Sequence, residues 1–293
     1  MNLSIINFSD GKYIRGQERL CESLLLNGIK EQQMMFWDNY PSHWPKESEV
    51  FKGFKPYAFK DAENAGFTAA IWVDANCICV KSIKKIEKNL EKDGVFVFSR
   101  YSETVGNWIS DYSLSHLGID RVHTHHMPEL TTCVVGINFK HPAGRLLLEQ
   151  WFLLAQKKEA YNGVPEKYTF SDTRNNDNKL LSPDSRVKGH RTDQSMVGVL
   201  AGALHIFPNN KYVFDLIGEA SKGRPYAKYI PFSAIFVQNR DIKNQEEYLK
   251  DLSKYVNNKS IIYLLGRIYY SSLRSLKDFV KWILYYHKLY KFR

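Results

Sequence analysis

The chain has 293 residues, of which 44% are hydrophobic and 25% charged, with a net charge of +10. At about 150 residues per domain this allows one large globular domain or two small ones with a core that needs no staples, and four scattered cysteines (Cys21, Cys77, Cys79, Cys133) exclude a disulfide scaffold. The charge is concentrated: from Ile262 to Arg293 seven lysines and arginines face one aspartate, a net +6, which argues against nucleic-acid binding by the protein as a whole.

Leu3-Ser4-Ile5-Ile6-Asn7-Phe8 predicts a first strand, with no basic leader and no long apolar run, so no signal peptide is expected. Ser9-Asp10-Gly11-Lys12 is a turn, and Leu20, Ser23 and Leu24 give a helix face that ends at Gly28. Gln33 to Trp37 predicts the second strand, and Trp44 to Val50 a loop. Lys55-Pro56 opens a helix that Gly66 closes, with proline in the first turn. Ile71-Trp72-Val73 is a short buried strand that ends at Asp74. Cys77 and Cys79 alternate on a strand, and no Cys or His pair follows at finger spacing. That argues against zinc and for reduced thiols in a cytoplasmic protein. A helix Ile83 to Leu90 leads to the strand Val95 to Phe98. Residues 102–130 read as irregular, Cys133 to Phe139 as a strand, and His141-Pro142 as the start of a helix to Gln156. Asp172 to Gly189 reads as a mobile polar loop, followed by a helix from Met196 to Leu204 and short strands at Ile206–Pro208 and Ile235–Val237. No segment reaches the length of a membrane span. Alternating strands and helices predict an α/β fold with a mostly parallel, Rossmann-type sheet flanked by helices.

Asp74 sits where α/β sheets place their ligands, and in an extended chain Asp74 and Asn76 would face the same side. Two such oxygen donors suit Mg²⁺ or Mn²⁺ bound together with substrate phosphates. The plain alternative makes Asp74 a turn residue. His190-Arg191-Thr192-Asp193-Gln194-Ser195 joins the polar loop to the late helix. There Arg191 is placed to hold phosphate, or else forms a solvated surface pair with His190. Asp193 reads either as a helix N-cap or as a carboxylate at a ligand. His123, His125 and His126 lack the spacing of a metal centre and read as a polar or ligand-contacting loop, and Trp108 and Tyr112 as core or a sugar platform.

Three segments in this order resemble the GT-A glycosyltransferases, enzymes that use nucleotide-sugars: Ile6 to Gly11, Lys55 through Gly66 to Asn76, and His190 to Ser195. The resemblance covers about residues 1–240. It implies a GT-A-like catalytic domain over 1–255. Asn7, Ser9, Asp10 and Gly11 would cradle the nucleotide, and Lys55 would lie near the donor. Asp74 and Asn76 would bind the divalent cation and the pyrophosphate, with His190, Arg191 and Gln194 completing the donor site. Asp193 would act at the sugar as general base or hydrogen-bond acceptor. The family usually has a second carboxylate where this chain has Asn76. The implied reaction moves a sugar from a UDP-sugar to a glycan or glycolipid acceptor, as in surface polysaccharide synthesis. A sugar nucleotidylyltransferase would want a Gly-rich, Arg-bearing loop that Asn7 to Lys12 does not supply. A degenerate transferase kept as a membrane-docked scaffold is the other alternative, sustained by Asn76.

The tail, 256–293, interleaves aromatic and aliphatic residues with cations. That pattern predicts a basic amphipathic helix, which docks peripherally on the inner, anionic face of a membrane or packs on the catalytic domain.

Overall fold

The computed structural model describes residues 1–46, 49–163, 173–174, 178–206, 217–220 and 234–239. The tail and its boundary at residue 255, the start of the polar loop at Asp172, and the strand at 207–208 lie outside the described residues. The elements in chain order are β1 (Leu3–Phe8), α1 (Ile14–Leu26), β2 (Met34–Trp37), α2 (Phe54–Asn64), β3 (Ala69–Val73), β4 (Cys77–Cys79), α3 (Lys84–Asp93) and β5 (Val95–Thr104). They continue with α4 (Asp111–Leu117), α5 (Arg121–Thr124), β6 (Pro128–Asn138), α6 (Pro142–Ala155), α7 (Lys158–Asn162), α8 (Thr192–Ala203), β7 (Ile217–Ala220) and β8 (Phe236–Asn239).

Five strands form the central sheet in the order β2-β1-β3-β6-β5, and helices cover both faces. The fold is α/β, as expected. β1 pairs in parallel with β2 and β3, whereas β6 is antiparallel to both β3 and β5. The sheet is therefore mixed rather than mostly parallel. β5 still runs in the direction of β3, as the helical crossover through α3 requires. The antiparallel β6 enters between them. A second sheet, β4-β8-β7, pairs the two cysteines of β4 with Phe236 and Gln238.

Burial on both faces explains the continuous apolar strands. In β3, Ala69, Ile71 and Val73 face a cluster under α1 and α3, while Ala70 and Trp72 face one under α2, α6 and α8. Each fully buried Ile or Val contributes about 1.5–3 kcal/mol. α2 lays Phe54, Ala58, Phe59 and Ala62 on the second cluster, and its Pro56 sits in the first turn, where no intrahelical N–H partner is lost. α6 starts at Pro142, and His141 caps it by accepting from Ala143 N at 3.2 Å.

The segment 102–130 is more regular than its sequence suggests. It carries the end of β5, two short helices and the first residues of β6. Ser110 and Asp120 cap those helices through their side chains. The described end of the polar loop is docked rather than loose: Asp111 N donates to Leu181 O at 3.0 Å and Lys188 N to Asn107 O at 2.7 Å. Cys77, Cys79 and Cys133 are buried free thiols. Among the described residues no helix is long and apolar enough to cross a membrane.

Candidate functional site

The carboxyl ends of β1, β2 and β3 lie side by side, the position at which α/β sheets receive ligands. Asp74 follows β3 there, its backbone N–H donating to Cys133 O at 2.8 Å. α2 crosses the same end of the sheet and delivers Lys55, which is 3% exposed. The Lys55 ammonium lies 3.2 Å from Asp74 Oδ1 and 2.7 Å from Asp193 Oδ2. It also donates to Thr132 O at 3.0 Å and approaches Thr132 Oγ1 at 3.3 Å. Thr132 Oγ1 donates to Asp193 Oδ2 at 2.6 Å, and Trp72 Nε1 to Asp74 Oδ1 at 2.7 Å. Lys55 Nζ stands 5.3 Å from the centre of the Trp72 ring.

Four elements thus meet at one buried ammonium: α2, the end of β3, β6 and the first turn of α8. Burial works against the charge on Lys55, yet Asp193 and Asp74 outweigh it and raise its pKa. Burial likewise opposes the charge on Asp193, and Lys55, with help from Lys52, holds that carboxyl well below the usual carboxylate range. Both groups stay ionised at neutral pH. Each carboxylate gives one oxygen to Lys55, and among the described residues its other oxygen has no partner. A buried ion pair stabilises a fold little, because desolvation offsets most of its attraction. What it does supply is a pair of carboxylates fixed in place, each with a spare acceptor oxygen.

Sequence reasoning selected Lys55, Asp74 and Asp193 separately, and the structure brings them together. Thr132 and the Trp72 indole were missed. The available signal was the Thr131-Thr132 pair, polar residues that directly precede the run Cys133 to Ile137. Asp193 does stand in the first turn of α8, but its side chain makes no cap.

The remaining candidates divide. Asn76 is not in an extended segment: Cys77 N donates to Asp74 O at 2.9 Å, so Ala75 and Asn76 form the middle of a tight turn. The same-side argument for Asp74 and Asn76 fails for that reason. Asn76 Oδ1 instead faces Gln238 Nε2 of β8, at 3.4 Å. Gly16 of α1 is packed against this turn so closely that a Cβ there would lie 2.5 Å from Ala75 O. Asn7 is buried, donating to Val73 O at 2.5 Å and accepting from Gln17 Nε2 at 2.8 Å, so it ties β1 to β3 and α1. Ser9 is buried, and its hydroxyl has no hydrogen-bond partner among the described residues. Asp10 and Gly11 are exposed just beyond it, and Gln194 is half-buried on α8.

His190 and Arg191 lie elsewhere than at a solvated ligand. The His190 ring is buried; its Nδ1 accepts from Ser110 N at 3.2 Å and its Nε2 donates to Tyr161 O at 3.1 Å. That pattern makes it the neutral ring, and burial lowers its pKa to about 4. Arg191 stacks on Trp108, 3.5 Å from the ring centre, with the buried Glu129 carboxylate 3.6 Å away. Trp108 is accordingly core rather than platform. His125 pairs with Asp184 at 3.0 Å. Among the described residues no three His, Cys, Asp or Glu side chains gather as a metal centre.

No protein-family model and no curated protein sequence matches the chain. Similar solved structures include the apo form of the WbbM bifunctional glycosyltransferase, with 8% identity, a TM-score of 0.47 and coverage of 90% of this chain and 51% of that one. The chain therefore spans about half of that protein's length. Mouse xyloside xylosyltransferase 1 in its apo form shows 9% identity and a TM-score of 0.47, with 82% of this chain and 98% of that one covered. The galactosyltransferase LgtC in complex with donor and acceptor sugar analogs shows 10% identity and a TM-score of 0.42, with 90% and 99% covered. Likenesses at this level establish neither a donor nor an acceptor.

Proposed function

We propose that the chain is a GT-A-like glycosyltransferase that moves a sugar from a nucleotide-sugar, a UDP-sugar, to a glycan or glycolipid acceptor, as in surface polysaccharide synthesis. The observation that carries this reading is the Asp74–Lys55–Asp193 cluster at the carboxyl end of the parallel strands. Its two spare carboxylate oxygens accept hydrogen bonds and donate none, which suits the hydroxyls of a sugar. Asp193 is a weak base because its pKa is held so low, so its role is to accept sugar hydroxyls rather than to take a proton. The Lys55 ammonium is engaged by Asp193, Asp74 and the Thr132 carbonyl, and it acts through the two carboxylates. Buried Ser9 and exposed Asp10 follow the end of β1, where this reading puts the nucleotide.

The GT-A resemblance also implies Mn²⁺ or Mg²⁺. The described donors do not fit a resident ion. Asp74 offers a single spare oxygen, an ammonium stands 3.2 Å from its other one, and Asn76 Oδ1 is turned to Gln238. Asn76 keeps a second reading open, a degenerate transferase serving as a scaffold, peripheral on the inner face of a membrane. Release of UDP from a UDP-sugar separates the two readings, since only the transferase hydrolyses its donor slowly when no acceptor is present.

Thermal unfolding with nucleoside diphosphates, with and without Mn²⁺, tests the proposal. A ligand at about 100 times its Kd adds about 2.7 kcal/mol of stability. UDP should raise the melting temperature. If no nucleoside diphosphate does, the reading falls.

A further inference from the structure

Thr132 lies in β6 beside the first turn of α8 and is 2% exposed. Its hydroxyl donates to Asp193 Oδ2 at 2.6 Å, while its carbonyl and hydroxyl oxygens lie 3.0 and 3.3 Å from Lys55 Nζ. A hydroxyl has a single hydrogen. With the ammonium against its oxygen, that hydrogen is directed at Asp193. One residue therefore fixes both the carboxylate and its counter-ion. Oδ2 of Asp193 is used by Thr132 and Lys55, which leaves Oδ1, in a side chain 2% exposed, as the oxygen with no partner among the described residues. The adjacent Thr131 turns its hydroxyl elsewhere, toward Cys133 Sγ at 3.3 Å. Packing and strand propensity alone would be served equally well by valine at position 132, which has nearly the same shape and no hydroxyl.

We propose that Thr132 is a positioning residue for sugar transfer, holding Asp193 so that Oδ1 meets the sugar. This rests on the reading above, that Asp193 acts at the donor sugar.

The test compares Thr132→Val and Thr132→Ser with wild type in the full chain. The probes are UDP-glucose and UDP-galactose, with UDP release as the readout and UDP binding measured by calorimetry. Thr132→Val should lower kcat by about tenfold to a hundredfold, the scale of one lost hydrogen bond to a charged group. KM and UDP affinity should stay within about twofold, as expected when only the reacting state is affected. Thr132→Ser should restore kcat, because it returns the hydroxyl without the methyl. If Thr132→Val does not fold, Thr132→Ala carries the same expectations. Wild-type kcat in the valine variant, a fall in UDP affinity that matches the loss of rate, or failure of serine to rescue each overturns the proposal. A wild-type protein that neither binds UDP nor releases it from either probe overturns the donor reading itself, and this inference with it.

Discussion

His190 shows what burial does to a titratable group. Its ring joins Ser110 of the α4 cap to Tyr161 of α7, and a Cβ on Gly163 would lie 2.2 Å from it. Its folded pKa, about 4, lies below the ordinary 6.5, because burial disfavours the cation. Between those values the unfolded chain takes up a proton that the folded chain refuses. Stability should be complete above pH 6.5 and fall as pH drops toward 4, by about 3 kcal/mol in all. Urea titrations at pH 7 and pH 5 check this: His190→Gln should flatten the difference, and an unchanged slope would reassign it to other groups. At the donor cluster, Lys55→Met should cost about 3–5 kcal/mol, since it leaves two carboxylates without their counter-ion. Asp193→Asn should instead reduce transfer far more than it reduces the melting temperature. A loss of stability alone, with transfer intact, would make Asp193 structural. These acids were legible in the sequence because each stands where a regular element begins or ends. Thr132 was not, since a threonine in a strand has the same signature whichever way its hydroxyl points.

Among the elements, β1, β2, β3 and β5 were readable in place and direction, because helices separate them and a crossover fixes a parallel course. The antiparallel entry of β6 was not readable. Its run Leu130 to Ile137 is buried on both faces, so no polar–apolar alternation marks which way it runs or which neighbour it joins. The short helices α4 and α5 span only seven and four residues, too few for a helical period to show. The polar loop was read as mobile from composition. The anchors of its described part, Asp184 to His125 and Lys188 to Glu103 at 2.8 Å, join residues about 60 and 85 apart in sequence and leave no local signal. The approach of α1 to the Asp74 turn belongs to this scale too. Gly16→Val would push a side chain into Ala75 O, and overpacking of this kind costs about 1–3 kcal/mol. We predict a lower denaturation midpoint together with weaker UDP binding, since the displaced turn carries Asp74. If the midpoint falls and UDP affinity does not, the turn is not part of the donor site.

For the whole molecule, charge is the property left to account for. The described residues hold the Asp74–Lys55–Asp193 cluster, while the net +6 of residues 262–293 belongs to a segment dense in Tyr, Ile and Leu. Aromatic and aliphatic residues interleaved with cations suit the interface of an anionic membrane, where each cation near the surface adds about 1 kcal/mol. We predict that the full chain sediments with vesicles containing phosphatidylglycerol more than with pure phosphatidylcholine. Salt should weaken that binding, because surface charges are screened over about 8–10 Å near physiological ionic strength. Deleting residues 262–293 should remove vesicle binding and leave UDP binding and the release of UDP from a soluble donor as they were. Such a result would place the chain at an anionic membrane surface through its tail. The opposite result is as informative. If the truncated chain loses its cooperative unfolding transition, the apolar side chains of the tail are covered by the catalytic domain rather than by lipid, and the membrane reading fails.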